Sequence, residues 1–219
     1  MALQAKIPII STPQIASYDF TELASGLGYV LFYGTVSTPV GVKTYNLMTN
    51  QLEPGNSAYA NSEDHERSSN LRSASPPETI TKTFTTSQFN STKIVDGTAI
   101  VNFTVDTGTG ATNQMPATGM DVSILKNSTT LVTTNVGVQL SGNGVAATYN
   151  LTMDVPQTIF KKGDTLAVKT SVALIDTQSV YFEHDPLNRD RGATGNRMAL
   201  TATTNPTAFR VYIPFKILQ

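Results

Sequence analysis

The chain has 219 residues, with 15 Lys and Arg against 16 Asp and Glu, a formal net charge of −1. That balance leaves no cationic surface for packaging nucleic acid or for holding an anionic membrane, so neither is expected as a direct partner. Cysteine is absent and His65 and His184 are the only histidines, which excludes disulfide scaffolds, thiolate metal sites, cysteine nucleophiles and an all-histidine zinc site.

Charged residues make up 14% of the chain, and the polarity comes instead from 33 Thr, 17 Ser and 15 Asn. With Ser and Thr this common, the sequons at Asn90, Asn102, Asn127 and Asn150 are a chance yield and carry no weight as glycosylation sites. Pro8 interrupts the one apolar stretch near the N-terminus, and no apolar run is long enough for a signal peptide or a spanning helix. The expectation is a chain that stays where it is made.

Residues 1–16 read as an extended arm, because Pro8 and Pro13 forbid a continuous helix and Leu3, Ile7, Ile9, Ile10 and Ile15 follow no amphipathic period. Such an arm needs a surface to lie on, and these five residues are its candidate contacts. Ser17 or Asp19 can cap one short helix in which Phe20, Leu23, Ala24 and Leu27 share a face and Gly26 and Gly28 close the end. Residues 1–27 are thus expected as arm and helix, and 28–219 as one β-sandwich domain.

From residue 28 the period changes to two. Strands are predicted over 28–37 and 40–48, and then a loop over 49–77, where Pro54, Gly55, the charge run Glu63 to Arg67, several Ser and Pro76-Pro77 fall together. Further strands are predicted over 78–86, 98–105, 120–126, 129–136, 145–155, 165–175, 179–183 and 207–215, with turns at 141–144 and 161–164 between them. Some ten short strands and almost no helix mean an all-β fold, an antiparallel sandwich or barrel. With no Cys pair and no Trp to pin an immunoglobulin-type core, a jelly-roll-type β-sandwich is the expected architecture.

No catalytic signature stands up. There is no G-x-S-x-G elbow and no P-loop, and the G-x-G-x-x-A match at 142–147 opens a strand instead of a helix. Glycoside hydrolysis needs paired carboxylates, for which Glu63, Asp64 and Glu66 or Glu183, Asp185 and Asp190 are the candidates. The densest polar segment runs from Tyr181 to Gly192. Glu183, Asp185, Asn188 and Asp190 have the oxygens a hard cation wants, but Arg189 and Arg191 are interleaved among them. A structural polar loop of Glu183, His184, Asp185, Asn188, Arg189, Asp190 and Arg191, neutralised internally, is the reading taken, with no metal, no cofactor and no catalysis expected. Seven tyrosines, Tyr29, Tyr33, Tyr45, Tyr59, Tyr149, Tyr181 and Tyr212, are a conceivable sugar-stacking platform, yet aromatics alternating along strands are more often core.

Between Lys126 and Asp154, 27 consecutive residues carry no charge. A free monomer usually blunts its strands with charge, so this composition points to a building block packed among neighbours.

The order of elements resembles jelly-roll virion proteins of bacterial and archaeal viruses, in particular capsid decoration and head-fibre-like proteins. The likeness is carried by the arm and helix, the aromatic strand GYVLFY at 28–33, the long polar loop, FKKGDTLAV at 160–168, HDPLNRD at 184–190 and the closing FRVYIPFKI at 209–217. It implies a structural protein of the phage capsid surface, made in the host cytoplasm, that self-associates, often as a trimer, and binds a viral shell protein as a decoration, cement or minor capsid protein. It implies no catalytic residues. A carbohydrate-binding or polysaccharide-hydrolysing sandwich is the alternative.

Overall fold

The computed structural model describes residues 27–37, 44–49, 68–72, 78–107, 119–137, 146–174, 179–184 and 208–216. They form eleven strands: β1 (Leu27–Ser37), β2 (Thr44–Met48), β3 (Ser68–Arg72), β4 (Glu78–Thr85), β5 (Lys93–Thr107), β6 (Met120–Lys126), β7 (Thr129–Val136), β8 (Ala146–Phe160), β9 (Leu166–Leu174), β10 (Ser179–Glu183) and β11 (Arg210–Lys216). No helix occurs among the described residues, and so none long and apolar enough to cross a membrane.

The strands run in the order β3, β10, β5, β11, β1, β2, β4, β9, β6, β7, with β8 on the other edge of β5. Every pairing is antiparallel except a single parallel bridge, Asn46 with Thr85, between β2 and β4. β8, β5, β11 and β1 lie on one side of that bridge and β4, β9, β6 and β7 on the other. Phe84 of β4 meets Phe182 of β10 and Phe209 ahead of β11 across the core, so the two groups make facing layers. The chain is an all-β, jelly-roll-type β-sandwich.

Alternation explains which residues fill the space between the layers. In β5 the buried apolar residues are Val95, Ala99, Val101, Phe103 and Val105, and in β6 Met120, Val122 and Ile124 follow the same alternation, with Leu125 buried too past the register shift at the end of the strand. At the centre Phe84 of β4 packs against Phe182 and Phe209, with ring centroids 5.8 and 4.9 Å away, while Phe103 stacks between Phe182 and Tyr149. Fully burying one such ring contributes on the order of 1.5 to 3 kcal/mol, so this aromatic column holds the two layers together.

Two strand prolines face the same short stretch of β5. Opposite Asp96, β8 inserts one extra residue at Pro156 and Gln157, which resets its parity so that both Val155 and Phe160 point inward. Gly97 adopts φ 115° there. On the other edge the pairing of β11 with β5 is interrupted between Tyr212 and Phe215, and Pro214 sits in that interruption, where no ladder hydrogen bond is required of it.

Several expected boundaries shift. The strand expected at 145–155 runs on to Phe160 because the bulge absorbs Pro156. Residues 68–72, expected within a loop, form β3, an edge strand held by its ladder with β10. Leu27, expected on the helix, opens β1 opposite Lys216. The rest of the arm and the helix lie outside the described residues.

Candidate functional site

Of the expected polar loop, the described residues include Glu183 and His184, both buried at the end of β10 with 1% and 0% exposure. The His184 ring lies 5.7 Å from Phe84 and 6.5 Å from Tyr45, so it packs within the aromatic core. Asp185, Asn188, Arg189, Asp190 and Arg191, and the arm residues Leu3, Ile7, Ile9, Ile10 and Ile15, lie outside the described residues. Among the described residues no three His, Asp or Glu side chains come close enough to hold a metal ion.

The turn at 161–164 is the best-satisfied polar cluster. Asn127, in the left-handed region at φ 55°, donates from Nδ2 to Asp164 Oδ1 at 3.0 Å and accepts the Thr165 amide on Oδ1 at 2.8 Å. The Lys161 amide donates to Asp164 Oδ2 at 2.8 Å, and Lys126 Nζ lies 3.1 Å from the same oxygen. The Asn127 hydrogen bond first, then the Lys161 amide and Lys126, hold the Asp164 carboxyl down at about 2. These bonds clasp the tip of the β6 and β7 hairpin to the turn between β8 and β9.

The two outer faces of the sandwich differ chemically. On the layer of β4, β9, β6 and β7, cross-strand rows bring together Thr83, Lys169, Ser123 and Thr133, and next to them Thr81, Ser171, Asp121 and Asn135. These side chains bond to one another: Ser123 with Thr133 at 2.8 Å, Asn135 Nδ2 to Asp121 at 2.7 Å, and Thr81 with Ser171 at 3.5 Å. Lys169 and Asp121 are the only charges in these rows, and Lys169 makes no ion pair among the described residues.

The layer of β8, β5, β11 and β1 presents the opposite character. One row aligns Thr152, Ile100, Tyr212 and Leu31, and the next Asn150, Asn102, Arg210 and Tyr33. Asn102 Nδ2 donates to Asn150 Oδ1. One step along, the Tyr29 hydroxyl donates to the Thr98 carbonyl at 3.0 Å. Register sets Tyr33 opposite Arg210 and diagonal to Tyr212; burial pushes the Tyr33 phenol up, with Arg210 pulling down and Tyr212 pushing up. Tyr29, Tyr33 and Tyr212 are therefore half-buried on the outside, a correction to the expectation that the alternating tyrosines are core. That expectation does hold for Tyr149, which is 8% exposed. β1 is apolar on both faces, so alternation alone could not assign Tyr29 and Tyr33.

No protein-family model and no curated protein matches the chain. Among solved structures it is similar to a CocE/NonD family hydrolase from Staphylococcus aureus, with TM-score 0.44 and 8% identity over 84% of this chain and 36% of that one. It is also similar to an aminopeptidase from a marine sediment Thaumarchaeota archaeon, with TM-score 0.39 and 8% identity over 62% of this chain and 26% of that one. A third is infectious bursal disease virus, Gt strain, with TM-score 0.24 and 10% identity over 88% of this chain and 55% of that one. The chain spans between about a quarter and just over half of their lengths. Likenesses this weak assign neither a family nor an activity.

Proposed function

We propose that this chain is a structural, non-catalytic virion protein of the capsid-associated kind, acting by self-association through its hydroxyl-rich face and by attachment to a shell. The observation that carries the reading is the outer face of β4, β9, β6 and β7, where exposed Thr79, Thr81, Thr83 and Thr133 surround one lysine and one aspartate. A solvated sheet face is ordinarily studded with charge, whose desolvation opposes contact; a hydroxyl is cheaper to cover than a charge, and Thr81 with Ser171 and Thr133 with Ser123 already bond one another. Lys169 of one copy can then meet Asp121 of another. The shell as the setting rests on the resemblance drawn from the sequence. Against a hydrolytic reading stands the burial of Glu183, since a carboxylate that attacks or protonates a sugar must face it.

Sedimentation of the full chain across concentrations tests the self-association, compared with the variant Thr83→Lys/Thr133→Lys. An oligomer that the paired lysines break apart supports the reading. A monomer at every concentration, or an oligomer indifferent to the substitutions, overturns it.

A further inference from the structure

We propose that the outer face of β8, β5, β11 and β1 binds an acidic polysaccharide, its sugar rings stacked on Tyr29, Tyr33 and Tyr212 and a uronate carboxylate paired with Arg210. This goes beyond self-association, which uses the other face of the sandwich.

The platform follows from register. Tyr33 and Arg210 are directly opposite in the β1 and β11 ladder, as are Leu31 and Tyr212, so the side chains of these two strands project outward in adjacent rows. Tyr29 and Tyr33 are four residues apart on one strand, roughly 13 Å at the rise of a β-strand, long enough for more than one sugar ring to lie along it. Tyrosine suits that task because its ring packs against the apolar face of a pyranose while its hydroxyl, protonated at neutral pH, can donate and accept hydrogen bonds.

Charge selects the acid. Arg210 is half-buried among Tyr33, Tyr212 and Asn102, and no carboxylate pairs with it among the described residues. Two acids on or beside this face are engaged elsewhere: Asp154 accepts the Thr98 hydroxyl at 2.6 Å, and Asp96 is paired with Lys216 at 2.8 Å. A planar guanidinium flanked by rings offers a carboxylate two parallel donors. The Asn102 and Asn150 amides beside it supply the neutral donors and acceptors that sugar hydroxyls need.

The test is calorimetric titration of the full-length protein with oligomers of galacturonate, mannuronate and hyaluronan, and with fully methyl-esterified oligogalacturonate as the uncharged control. With no Trp and 8 Tyr in the chain, quenching of tyrosine fluorescence gives a second readout. At least one acidic oligomer should bind, Arg210→Gln should weaken it about tenfold while leaving the weak binding of the ester unchanged, and Tyr33→Phe should retain it. Tyr212→Ala should lose binding; if that variant does not fold, Arg210→Gln decides alone. No binding to any of the three acids overturns the proposal, as does equal affinity for polyglutamate or binding indifferent to Arg210→Gln.

Discussion

Asn127, at the tip of the β6 and β7 hairpin, donates to Asp164 from Nδ2 and accepts from the Thr165 amide on Oδ1, so one side chain fastens the hairpin to the turn that leads into β9. Asparagine suits the site twice over, because it tolerates φ 55° and carries both a donor and an acceptor. Asn127→Ala should cost roughly 1 to 2 kcal/mol in urea denaturation, and Asn127→Gly less, since glycine retains the backbone conformation and loses the hydrogen bonds alone.

Asp164 gives the same clasp a pH dependence. Its folded value of about 2 lies below the ordinary 3.8, held there first by the Asn127 hydrogen bond. A depressed carboxyl adds stability that is fully present above pH 3.8 and is lost as the pH falls from there through about 2. The stability advantage of the wild type over Asp164→Asn should therefore shrink across that window. An advantage that stayed constant from pH 5 to pH 2 would contradict the account.

Gly34 lets β1 approach the segment ahead of β11. A Cβ at this position would stand 2.1 Å from Phe209 Cδ1, and its amide donates to the Phe209 carbonyl at 2.9 Å. Gly34→Ala should destabilise by about 1 to 3 kcal/mol through overpacking, and Phe209→Ala by about 3 to 5 through the cavity it leaves. In thermal melts the double variant should lose less than the sum, because the smaller residue vacates the space the methyl needs.

Thr35 is 2% exposed, and its hydroxyl finds no hydrogen-bond partner among the described residues. Thr35→Val keeps the shape and removes an unsatisfied group, so urea denaturation should show it neutral or more stable by up to about 1 kcal/mol.

The strands were legible where alternation was clean and the ends were marked. β6, β7 and β10 begin and end where the pattern says, because Gly119 and Gly137 bound the hairpin, Asn127 lies in its turn and Glu183 closes the last. β8 was read short because proline ordinarily ends a strand, and only the two-against-one pairing across from Asp96 carries it past Pro156. β3 was missed because Ser-Ser-Asn-Leu-Arg has little strand preference of its own and owes its conformation to β10. The sequence offers its tyrosines as a conceivable platform, but does not say which of them share a face. That face exists because distant strands β1, β11 and β5 align Tyr33, Arg210 and Asn102 in one row, and register of that kind is a property of the fold.

The arm should be dispensable for folding. With Pro8 and Pro13 in it and no amphipathic period, the segment reads as an arm and not as part of the sandwich, so deleting residues 2–16 should leave circular dichroism and the melting transition unchanged. The same deletion should abolish attachment to a shell, because Leu3, Ile7, Ile9, Ile10 and Ile15 would each contribute on the order of 1.5 to 3 kcal/mol on burial there. A truncated chain that attaches as well as the full one would remove the arm from the account.

The most direct measurement of the central claim is sedimentation velocity of the full chain beside Thr83→Lys/Thr133→Lys at matched concentrations, with melting curves as the folding control. The account predicts a wild-type oligomer and a variant that melts alike but sediments as a monomer, since two buried ammonium groups per copy would cost more than the contact returns. A wild type that is monomeric throughout, or a variant that associates as well as the wild type, would contradict it.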